Sequence, residues 1–328
     1  MKTILITDTH YGVKNNSNTW CNYQLKFIDD TIIPLIQQLS KNDDVRVIHC
    51  GDVFDSRAAY SLLIANRVVT KYREIASLCP IYIVAGNHDF YSPISDDYCT
   101  IPLLFRDIEN IQYYIQNIET SNYNELFVPY YTFLDKDALK TAIQTHHPKA
   151  IYTHADLDHL PDEEYKQILQ GVSVISGHIH TPNFKDNFFT LGSTYALTFA
   201  DTNSPRGLYV VDTDDYANMK FIENTSSIKF WRLYDNQIFN YNFTIGTDDY
   251  IEIYINKKFL IEDEFIKKLK DLSTKYRNIK VIPNDVESSE DNAEVNFDTY
   301  NIDEQCRKCI PDYLQEKFNT VIANTKDI

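Results

Sequence analysis

The sequence predicts an α/β fold, and three observations carry that prediction. Short β-branched runs alternate with helical stretches through the first half of the chain, the pattern of helices layered on a largely parallel sheet. Five of those runs hand polar residues to a loop at their carboxyl end, which is where open α/β sheets bind ligands. The composition, 43% apolar and 13% aromatic over 328 residues with 8 glycines, suits one large packed domain plus a smaller one.

Thr3–Thr7 (TILIT) reads as a buried strand that delivers Asp8 and His10 into a loop. A helical stretch follows to about Leu39, with Pro34 kinking it or opening a second helix. Val45–His49 is the next strand and ends at Gly51-Asp52; Ser56 is positioned to cap a helix reaching about Ser77. Ile81–Ala85 ends at Gly86-Asn87-His88-Asp89, Ala150–Thr153 at His154, and Val172–Ser176 at Gly177-His178. Phe188–Leu191, Gly207–Asp212 and Lys220–Glu223 read as strands of a second sheet. A small βαβ unit then runs through Tyr250–Asn256, Glu262–Lys275 and Ile279–Ile282. Asp285–Asp298 is an acidic linker, and from Ile302 to Ile322 apolar residues recur at helical spacing around Pro311.

Net charge is −16, which argues against a simple electrostatic nucleic-acid binder. The charge is uneven, however. Residues 257–280 hold eight basic side chains against four acidic, and 285–304 hold eight acidic and no basic. Six scattered cysteines suit reduced thiols, and the Cys306–Cys309 pair lacks the second pair or histidine of a zinc site. No apolar run reaches bilayer length and Met1–His10 has no secretory core, so the expectation is a soluble cytoplasmic protein without a membrane partner.

The chemistry lies in Asp8-x-His10, Gly51-Asp52-x-x-Asp55, Gly86-Asn87-His88-Asp89, His154 and Gly177-His178-x-His180, which hold five of the nine histidines. Each alone is a weak signal, because a single histidine is more often an ordinary core or loop residue. Together, in order and each behind a predicted strand, they describe a metal site. Phosphodiester hydrolysis needs a nucleophile at neutral pH and compensation for charge on the phosphoryl and leaving oxygens. Two divalent ions roughly 3.5–4 Å apart supply both. Mixed imidazole, carboxylate and amide ligation suits Mn²⁺ or Fe²⁺ better than a thiolate-seeking metal.

The set DTHYG, GDVFD, GNHD, the histidine of THAD, and GHIH resembles the calcineurin-like metallophosphoesterases. Within them it is most similar to the Mre-eleven/SbcD nucleases and their T-even phage counterparts. FVPYY (127–131), LGSTYALTFAD (191–201), SPRGLYVVDT (204–213), FIENTS (221–226) and VESSED (286–291) carry that narrower likeness. The resemblance implies a four-layer α-β-β-α sandwich at 1–236, a capping and DNA-binding domain at 237–284, a linker at 285–300 and a helical ATPase-binding tail at 301–328. It also implies a first ion on Asp8, His10, Asp52 and His180, and a second on Asp52, Asn87, His154 and His178. Asp52 would bridge them, and His88 would be the catalyst that is not a ligand. Mn²⁺ is the expected metal, with Mg²⁺ or Fe²⁺ as alternatives. The implied partners are DNA, an SMC-type ATPase of the Rad-fifty/SbcC kind anchored on Leu314 and Phe318, and a second copy packed along the helix after Ser56.

The implied activity is 3′-to-5′ exonuclease action on duplex ends and endonuclease action on single strands, in recombination and repair, within a bacterial host if the chain is phage-encoded. Asp55 stands where some relatives carry a histidine. Lys14, Arg57, Arg206 and Lys229 are the candidate phosphate contacts. A phosphatase of the same superfamily is the competing reading; protein phosphatases carry GNHE and GDxVDRG, against GNHD and GDVFDSR here.

Overall fold

The computed structural model describes residues 1–284 apart from 161, 203, 214, 242 and 243. The linker, the tail with Leu314 and Phe318, and Cys306–Cys309 lie outside the described residues. Along the chain the strands are β1 (Lys2–Ile6), β2 (Val45–His49), β3 (Ile81–Val84), β4 (Ile111–Tyr114), β5 (Glu119–Thr120), β6 (Glu125–Val128), β7 (Ala150–Thr153) and β8 (Ser173–Ser176). They continue as β9 (Asn183–Lys185), β10 (Phe188–Thr190), β11 (Gly207–Asp212), β12 (Asp215–Glu223), β13 (Phe230–Tyr234), β14 (Tyr250–Asn256) and β15 (Asn278–Asn284).

They form three sheets, ordered β12-β11-β1-β2-β3-β4, β5-β6-β7-β8-β10-β9 and β13-β14-β15. In the first, β1 to β4 run parallel and β11 returns antiparallel to β1. Leu5, Ile48, Val84, Phe127, Tyr152 and Ile175 make the core between the two large sheets, while separate clusters pack helices on their outer faces. That is the four-layer sandwich. Strands covered on both sides read as largely apolar runs, which is why β1, β3 and β7 stand out in the sequence.

Three corrections follow. The runs at 207–212 and 220–223 belong to the first sheet and not a second, since β11 pairs with β1 and β12 with β11. Of the five metal-motif strands, β7 and β8 lie in the second sheet with β10. The helix expected from Ser56 is Leu62–Leu78; the Ser56 hydroxyl accepts the Ala59 N–H in the turn ahead of it. Within that helix Ala65, Val68, Tyr72 and Ile75 are buried in the chain's own core, and Leu62 and Leu63 are exposed.

Between the large sheets sits a buried ion pair. Arg46 on β2 grips Glu125 on β6 through two bonds of 2.8 and 2.6 Å. The hydroxyls of Tyr152 and Tyr216 also donate to Glu125. A charge pair this deep is tolerated because its partners are fully supplied. The third sheet is parallel and begins with β13, which lies within the span 1–236 expected to form the sandwich. Ile251, Ile253 and Ile255 of β14 pack with Phe265 and Leu272 of the Asp263–Lys275 helix to form its own core. Among the described residues no helix is long and apolar enough to cross a membrane.

Candidate metal centre

Three of the five motifs leave their strands through backbone that an ordinary residue avoids. Asp8, His10, Asp52 and His178 have φ of 49°, 42°, 57° and 76°, left-handed values held only where surrounding contacts fix them. Glycine is required at Gly177, where a Cβ would meet Thr7 Oγ1 at 2.0 Å, and at Gly86, where it would meet Asp52 Oδ1 at 2.3 Å. The turns bring residues from both large sheets to one point. β1, β2 and β3 supply Asp8, His10, Asp52, Asn87 and His88, and β7 and β8 supply His154, His178 and His180.

The distances are those of a ligand cluster. Asp8 Oδ1 lies 3.7 Å from both His10 Nε2 and His180 Nε2, and the three residues could hold one ion. Asp52 Oδ2 lies 3.7 Å from His10 Nε2 and 3.2 Å from His154 Nε2. Asn87 Oδ1 lies 3.2 Å from His154 Nε2 and 3.0 Å from His178 Nδ1. Asp52 thus stands between the His10 side and the His154 side.

Surrounding bonds aim these groups. Asp8 Oδ2 accepts the Thr7 hydroxyl and the His178 N–H, which leaves Oδ1 for the cluster. Asp52 Oδ1 accepts the His88 N–H at 2.7 Å, which leaves Oδ2. His154 Nδ1 donates to the Cys50 carbonyl and His88 Nδ1 to the Asp55 carbonyl, both at 2.6 Å. A carbonyl only accepts, so in each ring the proton is on Nδ1 and Nε2 is the free nitrogen. Asp8 Oδ1 and His10 Nε2 are buried with no hydrogen-bond partner. Buried polar atoms left unmatched are costly, and divalent ions in this cradle of oxygen and imidazole donors would satisfy them.

The electrostatics agree. Burial pushes the Asp8 carboxyl up, but His154, His10 and His180 outweigh it and hold it at about 2. Asp52 is likewise depressed against its burial, chiefly by His154. Burial lowers His10, yet Asp55, Asp8 and Asp52 carry it up to about 10, and the same two site carboxylates, Asp52 and Asp8, raise His154 to about 9. Without an ion His10 and His154 therefore draw protons that ligation must displace, so metal uptake weakens as pH falls, whereas burial lowers His178 and His180 and favours their neutral rings.

Asp89, the last residue of its motif, acts on backbone. Its buried carboxylate accepts N–H groups of Gly86, Asp52 and Val53 at 2.9, 2.9 and 3.0 Å, tying two ligand loops together. Asp55 lies half-buried with Oδ1 3.5 Å from His10 Nδ1. Of the expected phosphate contacts, Lys14 and Lys229 are exposed, with the Lys14 ammonium 5.6–5.8 Å from the ring centroids of Trp20, Phe230 and Tyr250. The other two turn inward. Arg57 donates to the carbonyls of Asn87, Phe90 and Ser92, and Arg206 is 3% exposed with Asp201 as partner. Arg206 is thus enclosed, while Arg57 stays half-buried with those three bonds made through Nη1 alone.

Comparison with known proteins gives three findings. The family model described as calcineurin-like phosphoesterase matches residues 1–182. Exonuclease subunit 1 of Enterobacteria phage T4 is 24% identical over 249 residues, which cover 69% of each chain. A solved structure, the nuclease MPE of Pseudomonas putida, aligns at 16% identity over 63% of this chain and 83% of that one, with a TM-score of 0.29.

Proposed function

The chain belongs to the calcineurin-like phosphoesterase family, and from that premise we propose that it is a two-metal-ion DNA nuclease. The observation that carries the reading is the convergence of five strand-end motifs from two sheets on one buried cluster. In the proposed assignment Asp8, His10, Asp52 and His180 hold the first ion, Asp52, Asn87, His154 and His178 the second. The ions, Mn²⁺ in our reading, supply an acidified water and neutralise charge on the phosphoryl group. His88 is left free of both ligand sets; with its Nδ1–H held by the Asp55 carbonyl, the ring protonated at Nε2 would stabilise the phosphoryl group or give that second proton to the leaving oxygen.

The finer proposal is a nuclease subunit of an SMC-type ATPase complex, with 3′-to-5′ exonuclease and single-strand endonuclease activity in DNA recombination and repair. Its support is the similarity to a phage protein named exonuclease subunit 1 and the narrower motif likeness given above. Residues 237–284 would cap the site and engage DNA, and 301–328 would bind the ATPase through Leu314 and Phe318. The exposed Leu62 and Leu63 are the patch through which a second copy would pack.

End-labelled duplex and single-stranded DNA with Mn²⁺, run beside para-nitrophenyl phosphate and its bis-ester, test the substrate class. DNA and the bis-ester should be cleaved and the monoester largely spared. Preference for the monoester would replace the nuclease reading with a phosphatase.

A further inference from the structure

Gln24 is a polar side chain on a helix face that is otherwise apolar. It lies fully buried on the Asn18–Phe27 helix beside Trp20, Cys21 and Leu25. Burying an amide without partners costs roughly 1–3 kcal/mol, so the bonds it makes indicate its use. Its Nε2 donates to the Thr9 carbonyl at 2.6 Å and reaches the His10 carbonyl at 3.4 Å. Those carbonyls belong to the segment in which Asp8 and His10 take left-handed backbone.

The main chain of Gln24 makes a second grip. In an unbroken α-helix the Ile28 N–H would meet the Gln24 carbonyl. Here it turns to the Leu25 carbonyl, as the helix passes into the π-helical turn Ile28–Ile32. Such turns free backbone groups and recur at functional sites. The Gln24 carbonyl accepts the Tyr195 hydroxyl at 2.9 Å. Just ahead of Tyr195, the Ser193 N–H donates to the His180 carbonyl at 2.9 Å and the Thr194 N–H to the Thr7 carbonyl at 3.2 Å. One residue therefore joins the segment bearing Asp8 and His10 to the segment that fixes His180.

We propose that Gln24 is a positioning residue for the first metal ion, its amide and carbonyl together setting the spacing of the loops that carry Asp8, His10 and His180. The inference rests on the two-ion reading, and its test reads metal binding and not turnover. Wild-type chain loaded with Mn²⁺ should give the electron paramagnetic resonance spectrum of a magnetically coupled pair. Gln24→Met keeps the side chain's length and removes its donors. It should bind the first ion about 10–100-fold more weakly, the usual effect of losing an outer-shell bond, and keep the second. Its spectrum should then be that of isolated ions at Mn²⁺ levels that give coupling in the wild type. Tyr195→Phe, which removes the second grip together with the hydroxyl's bond to Tyr11, should weaken the same ion by a smaller factor. Wild-type affinity and coupling in both variants overturn the proposal, and so does equal loss of both ions. If Gln24→Met loses its thermal transition, Tyr195→Phe decides, and unchanged first-ion affinity there overturns it. A wild-type chain that never binds a coupled pair overturns the two-ion reading itself.

Discussion

Asp52→Ala should abolish turnover and remove at least one metal ion while the fold survives. Asp52 stands between the two halves of the cluster, with Oδ2 3.7 Å from His10 Nε2 and 3.2 Å from His154 Nε2. Its other oxygen holds the His88 backbone N–H, so the substitution also releases the loop that carries the proposed acid. Losing one ion forfeits several kcal/mol of transition-state stabilisation, roughly a thousand-fold or more in rate. The surrounding scaffold does not depend on this carboxylate, because Asp89 still bonds the backbone of residues 52, 53 and 86. Turnover, metal content and the thermal transition of the variant check the three parts separately. Full activity of Asp52→Ala in excess EDTA would sink the two-metal reading.

His88→Ala should separate chemistry from binding. The His88 ring lies edge-on to His10, 4.9 Å between centroids, and its Nδ1 is committed to the Asp55 carbonyl. That leaves Nε2, in the doubly protonated ring, to serve the leaving oxygen without serving a metal. The variant should keep both ions and still bind DNA, yet lose about 10²–10⁴-fold in rate, the usual effect of removing a general acid. A metal titration showing one ion fewer than wild type would make His88 a ligand and contradict the assignment.

The site was legible because its ligands are local to strand ends. Each strand is a buried apolar run, and each polar residue after it had to enter the loops at one edge. What escaped the sequence was set by distant partners. β6 begins at Glu125, a residue that reads as surface and is buried only because Arg46, 79 positions away, meets it. The assignment of β11 and β12 to the first sheet depends on β1, about two hundred residues earlier. Arg57 and Arg206 look like phosphate ligands as charges, and only the fold reveals the carbonyls and the Asp201 carboxylate that occupy them. Ser56 has the chemistry of a helix cap, but the chain turns once more before the helix opens behind Ser61. Gln24 could be found only by asking why an apolar helix face keeps one amide.

The measurement that bears most directly on the central claim is the number of Mn²⁺ ions bound per wild-type chain at saturation, by equilibrium dialysis with metal analysis. The assignment of Asp8, His10, Asp52 and His180 to one ion and Asp52, Asn87, His154 and His178 to the other predicts two. A single ion per chain at saturation, with full hydrolysis of DNA, would contradict it.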